Sequence, residues 1–209
     1  MSNVSKIHWT DATWNPCAGC TKVSPGCRGC YAIRHAKRMA GNPNKAMQAA
    51  YQGLVTGTPG NLDWNGTVRT LPDRLDEPLH WRKPRRVFVN SLSDLFHKDV
   101  PDDFIAQVFA TMEKAHWHQF QVLTKRSARL RALSAALPWP DNVWMGVSVE
   151  TDQYAFRIDD LRAAGAPFFF KQWGCYDEDG VRVGKKKEGG CWTAACGRKC
   201  PDSHERRNR

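Results

Sequence analysis

Three cysteines fall in one short stretch near the N-terminus. Cys20, Cys27 and Cys30 occur in the run G-C-T-K-V-S-P-G-C-R-G-C-Y, with Cys17 three residues upstream. Holding several thiols in one loop is costly unless something binds them, and the usual ligand is a metal. Two fillings suit the spacing. A [4Fe–4S] cluster on Cys20, Cys27 and Cys30 leaves one iron open. A zinc ion on all four cysteines would be closed and structural. Pro25 and Gly26 supply the reversal that lets one loop present its sulfurs together.

The rest of the chain favours metal over disulfides. No run of eighteen apolar residues suggests a membrane span, and the first ten residues lack a basic region followed by an apolar one. A cytoplasmic protein is expected, with its eight cysteines reduced. Hydrophobic residues make up 41% of the 209, enough for a sizeable core. The formal net charge is +10. Residues 182–209 hold nine Lys or Arg against three Asp or Glu, so most of that excess reads as a basic, disordered tail. The expected organisation is one α/β domain over 1–181 followed by that tail.

Residues 10–30 read as an ordered loop, 31–40 as a helix ended by Gly41, Asn42 and Pro43, and 52–84 as a long irregular excursion. A regular alternation then begins. Strands are expected at Val87–Val89, Phe120–Leu123, Val143–Val149 and Phe168–Phe170. Between them come a helix opened by Pro101, a helix capped by Ser127, and a helix near 152–164 with Tyr154, Ile158 and Leu161 inward. Ile7 to Trp9 is the candidate for a preceding first strand.

Strand and helix in series imply parallel βαβ units, and hence a β/α barrel or part of one. The strands' carboxyl ends would share one rim, where such folds place ligands. That rim would carry Asn90, Ser91, Ser93, Asp94, Lys125, Arg126, Glu150, Lys171 and Gln172. Lys125 and Arg126 suit a carboxylate or phosphate. His97, His116 and His118 lack metal-ligand spacing and are expected at the surface or an interface. The tryptophans are expected to bury the loops that carry the site. Cys175, Cys191, Cys196 and Cys200, with His204, form a second group whose last four members have zinc-like spacing.

Several longer motifs carry a family resemblance. They are W-T-D-A-T-W-N-P, the cysteine loop, K-P-R-R-V-F-V-N-S-L-S-D-L-F-H-K-D-V-P-D-D-F, Q-F-Q-V-L-T-K-R, N-V-W-M-G-V-S-V-E and G-A-P-F-F-F-K-Q-W-G. Across about residues 6–187 the chain resembles a phage and prophage family named for gene products thirty-seven and sixty-eight. That family is itself similar to radical S-adenosylmethionine enzymes, with a three-cysteine loop at the head of a β/α barrel. The resemblance implies a [4Fe–4S] cluster on Cys20, Cys27 and Cys30, with Cys17 incidental. It implies S-adenosylmethionine as cofactor and an external electron donor. Asn90, Ser91 and Asp94 become candidates for the cofactor rim, and Lys125, Glu150 and Lys171 for catalytic roles. A phage setting suggests a nucleic acid or nucleotide as substrate. The alternatives are a zinc-stabilised nucleic-acid-binding module and an inactive remnant of the family.

The chain departs from this pattern twice. The family carries two more strands between Leu161-Arg162 and Ala163-Ala164, which implies an internal deletion near 162–163 and an incomplete barrel. After Lys186 the tail diverges in a way that reads as a frameshifted ending. Such an ending would account for the second cysteine group without a function.

Overall fold

The computed structural model describes Ile7 and residues 9–168. Lys171, Gln172, the second cysteine group and the 182–209 tail lie outside the described residues.

The chain opens with β1 (Ala12–Trp14) and β2 (Cys17–Ala18), then the cysteine loop, α1 (Tyr31–Ala40) and α2 (Lys45–Tyr51). Three short strands follow: β3 (Val55–Thr58), β4 (Asn61–Trp64) and β5 (Arg69–Thr70). The alternation then runs β6 (Arg86–Val89), α3 (Asp102–Lys114), β7 (Gln119–Thr124), α4 (Ser127–Leu133), β8 (Val143–Val147) and α5 (Phe156–Ala163).

The central sheet has the order β1-β6-β7-β8, and every pair in it is parallel. Parallel neighbours need long crossovers, which α3 and α4 supply between β6 and β8. Val87, Val89, Phe120, Val122, Val143 and Met145 are fully buried. This is the continuous apolar reading expected of strands covered on both faces. Phe168 makes a parallel bridge to Met145, so the sheet goes on beyond β8 in chain order. The 162–163 junction lies at the end of α5, which runs through it without a break.

Helix α3 shows why these segments fold where they do. Pro101 sits at its cap, Asp102 and Asp103 face its positive end, and Phe104, Ile105, Val108, Phe109 and Met112 line the buried side. These side chains pack with the sheet into the main core. A second, smaller core joins Ile33 and Ala36 of α1 to Ala50 and Tyr51 of α2, together with Leu54 and Val55. Among the described residues no helix is long and apolar enough to cross a membrane.

Four local expectations change. The first strand is Ala12–Trp14, not Ile7–Trp9, because Ala12 and Trp14 alternate into the core while Trp9 packs on the Phe88 ring at 4.7 Å. The 52–84 excursion holds the antiparallel hairpin β3–β4 and the strand β5, which pairs with β2. Ser127 does not cap α4; it is the first helical residue, and its hydroxyl donates to Asp160 Oδ2 at 2.7 Å, pinning α4 to α5. The 152–164 helix breaks into a 3-10 turn at Asp152–Tyr154 and then α5. In α5 Arg157 and Leu161 point inward and Ile158 is exposed.

Candidate functional site

A cavity of about 820 Å³ opens at the carboxyl edge of the central sheet. Asn15 after β1, Asn90 after β6, Thr124 of β7 and Ser148 after β8 all line it. So do Cys20, Cys27 and Cys30. Cys17 does not: it is fully buried in the main core. The loop leaves β2 through Gly19, whose φ of +90° favours glycine and whose missing Cβ makes room for the Thr67 carbonyl. A short 3-10 turn at Pro25–Cys27 follows, with the Cys27 N–H donating to Ser24 O at 3.0 Å. Cys30 takes the cap position of α1.

No residue from Thr21 to Cys30 is buried, so polar ties hold the loop. Arg126 Nη2 donates to Thr21 Oγ1 at 2.8 Å and to Thr21 O at 3.1 Å. His97 Nδ1 accepts from the Asp99 N–H at 3.2 Å, which places the ring proton on Nε2, and Nε2 donates to Thr21 Oγ1 at 2.8 Å. Ser24 Oγ donates to Glu150 Oε1 at 2.9 Å. Gly26 lies against the same carboxylate, where a Cβ would collide with Glu150 Cγ. Tyr31 OH donates to Ser91 O at 2.8 Å, and Lys22 pairs with Asp63 at 2.6 Å.

The expected rim residues divide into two sets. Asn90, Ser91, Ser93, Asp94 and Lys125 line the cavity. Glu150 and Arg126 stand behind the loop and hold it. Glu150 pairs with Lys125, and also with Arg157 at 2.9 Å. Asp94 is buried and bridges two strand ends. Its Oδ1 accepts from Thr124 Oγ1 at 2.7 Å and from the Phe96 N–H at 3.1 Å, and its Oδ2 from the Lys125 N–H at 3.1 Å. Ser91 Oγ donates to Asn15 Oδ1 at 3.2 Å. Asn90 differs from these. Its φ is +56°, its Oδ1 accepts from the Cys17 N–H at 3.3 Å, and its buried Nδ2 has no partner. A buried unpaired donor beside a cavity is a position a ligand oxygen can satisfy.

The thiols are not alike. Burial pushes Cys20 up to about 12, with the Asp94 charge adding and Arg126 opposing. Burial likewise takes Cys17 to about 12. Burial acts against the Cys27 thiolate too. There, hydrogen bonds from the Val23 and Ser24 backbone, with the Lys125 charge, outweigh it and hold the thiol below its ordinary value. Burial lowers Lys125, and the nearby Arg157 charge adds to that. His97 and His118 are not surface groups as the sequence suggested; both are buried. His97 is lowered to about 4, first by burial and then by the Arg126 charge. His118 is spent on structure, accepting from the Arg85 N–H at 3.2 Å and donating to Pro78 O at 3.0 Å.

The sequence profile of a family described as a protein of unknown function (DUF5131) matches residues 4–167. The chain belongs to that family. No curated protein and no solved structure matches it. All three cavity cysteines, and every tie that holds their loop, fall inside the DUF5131 segment. Sequence reasoning missed Thr21, Ser24, Tyr31, His97 and Arg157 as parts of this DUF5131 site. The neighbours of the cysteines pointed to the first two, since hydroxyls in a loop with no apolar anchor need partners. Nothing local marked Arg157, which lies on the buried side of a helix.

A single ion and a cluster ask for different spacings. Zinc–sulfur bonds of ~2.3 Å in a tetrahedron put neighbouring sulfurs ~3.8 Å apart. Among the described residues no group of three or more His, Cys, Asp or Glu is placed to hold a metal ion. A cluster takes one cysteine on each of three irons and spaces its sulfurs more widely. The three cavity-lining cysteines, with the fourth turned into the core, match that donor set in number alone.

Proposed function

We propose that this DUF5131 protein is a radical-S-adenosylmethionine-like iron–sulfur enzyme of phage type. In this reading Cys20, Cys27 and Cys30 hold a [4Fe–4S] cluster at the rim of a partial β/α barrel. The observation that carries it is the partition of the thiols: three line the strand-end cavity and the fourth lies in the core. The strictly sequential parallel order supports the barrel, because a barrel adds strands in chain order whereas a doubly wound sheet reverses.

The chemistry that such a centre supplies is one-electron reduction of the sulfonium of S-adenosylmethionine, fed by an external donor. The chain's own residues do the rest. The Lys125 charge and the Val23 and Ser24 backbone stabilise the Cys27 thiolate as a ligand. Asn90 Nδ2 offers a donor to a cofactor oxygen, and Ser91, tied to Asn15, fixes the turn beside it. Asp94 holds the ends of β6 and β7 together. Glu150 positions the loop rather than moving a proton, since Ser24, Lys125 and Arg157 already engage both its oxygens.

Anaerobic reconstitution with iron and sulfide tests the reading. The expected product is brown, with about four irons per chain. Colour and iron should be lost in Cys27→Ala and kept in Cys17→Ala. A colourless protein holding one zinc, lost equally in both variants, would overturn the assignment.

A further inference from the structure

Within residues 1–181 positive charge is concentrated around the cysteine loop. From residue 12 to residue 62 the chain has six Lys or Arg and no Asp or Glu. The remainder of residues 1–181 carries sixteen basic and eighteen acidic residues. The six are Lys22, Arg28, Arg34, Lys37, Arg38 and Lys45, and all are exposed. They sit on the loop, on α1 and at the start of α2, which pack into one small core. Among the described residues only Lys22 of the six pairs with a carboxylate. Of the six exposed cations elsewhere among the described residues, three find one, in Lys98–Asp99, Arg131–Asp160 and Arg162–Asp159. A patch of unpaired like charges raises the local potential and attracts a polyanion.

The patch runs into the cavity. Tyr31, His35 and Arg38 recur at i, i+4 and i+7 along α1, and all three line the opening. Tyr31 meets His35 edge-on at 5.6 Å, and Arg38 Nη2 lies 3.3 Å from His35 Nδ1. Arg74 lines the same cavity, its guanidinium 6.0 Å from the centre of the Tyr51 ring. Trp64 adds a further aromatic face to the lining. A single nucleotide would engage Arg38, His35 and Arg74 and leave Arg28, Arg34, Lys37 and Lys45 outside. A string of phosphates uses both sets.

We infer that the cavity's substrate is a single-stranded nucleic acid, its phosphates tracking the α1 surface and one nucleotide entering beside the cysteine loop. This rests on the proposed reading of the cavity as the reactive site. A base paired inside a duplex cannot reach a recessed site, whereas an unpaired one can enter and stack on aromatic side chains.

The test is fluorescence anisotropy with a labelled twenty-nucleotide single strand, as DNA and as RNA, beside the matching duplex and a mononucleotide competitor. The full chain is used with and without reconstituted iron. With about four phosphates neutralised, affinity for the single strand should fall about fifty-fold between 50 and 200 mM salt. The double reversal Arg34→Glu with Lys37→Glu lies outside the cavity lining. It should weaken binding at least about tenfold and flatten the salt slope, while Lys98→Glu with Lys114→Glu changes neither. Every variant keeps the basic tail, so their difference reads the patch alone. Equal losses in the two variants, duplex binding as tight as single-strand binding, or a mononucleotide competing as well as the oligonucleotide would each overturn the inference. A brown protein indifferent to the strand removes this inference and leaves the iron–sulfur reading standing. A colourless protein that still binds the strand through the patch removes that reading and leaves the α1 surface as a strand-binding site.

Discussion

The central sheet and the cysteine loop are held by opposite kinds of force. Trp14, Val89, Phe120, Val122 and Met145 in the sheet are fully buried and pack on α3. Such burial stabilises by about 25 cal/mol for each Å² of apolar surface removed from water. The loop buries no residue between Thr21 and Cys30. Its position depends on hydrogen bonds and ion pairs to residues at the ends of β6, β7 and β8. The sheet can therefore be stable while the loop is released, and damage to one should be separable from damage to the other.

The largest expected effect falls on the sheet. Met145→Ala removes a fully buried side chain from β8 and should cost about 3 kcal/mol in urea denaturation. If the loop were instead what stabilises the fold, this variant would be mild. Thiol labelling of the metal-free protein under native conditions reads the loop alone. Cys27 should react about a hundredfold faster than Cys17, since one thiol is depressed and half-exposed and the other is raised and buried. Comparable rates would erase the contrast. Glu150→Gln should cost about 2 kcal/mol, because it strands the buried Arg157 guanidinium. It should also cut iron retention on reconstitution, whereas Met145→Ala, measured well below its unfolding midpoint, should not. Gly26→Ala should reproduce the iron loss with a smaller stability change, as its Cβ displaces the same carboxylate.

The smallest effect is that of pH. His97 has a folded pKa of about 4 against an ordinary 6.5, so the unfolded chain binds the extra proton first. Its contribution to stability is complete above about 6.5 and is lost as pH falls through about 4. Asp99, Lys98, Arg126 and Arg129 surround the ring, and their net positive charge deepens the shift. Denaturation midpoints from pH 7 to 4 should drop less in His97→Gln than in the parent. Parallel curves would show that the ring does not titrate in this window.

The parallel alternation was legible because strands buried on both faces read as short apolar runs, and α3 because its apolar spacing is clean. The sharing of one cavity by Cys20, Cys27 and Cys30 was legible from their spacing and the turn between them. What stayed hidden depends on distance along the chain. Ala12–Trp14 is a strand because β6 lies beside it, and Thr13 alone gives no sign of that. The Asn44-capped helix α2, with its cap bond to the Met47 N–H at 3.0 Å, is only seven residues long, too short to show a period. Glu150 reads as a rim acid, yet its partners lie 126 residues before it at Ser24 and seven residues after it at Arg157. Local spacing cannot show that one carboxylate is shared in this way.

The separation between Ser24 and Glu150 also sets a schedule. At ordinary translation speeds of about 5–20 residues per second, Glu150 follows Ser24 by about 6–25 s. Arg126, the other anchor, comes 105 residues after Thr21. A newborn chain thus displays its cysteines before Arg126 and Glu150 exist to complete the anchoring of the loop. Oxidants and stray metals have access to these thiols before the loop is fixed in place.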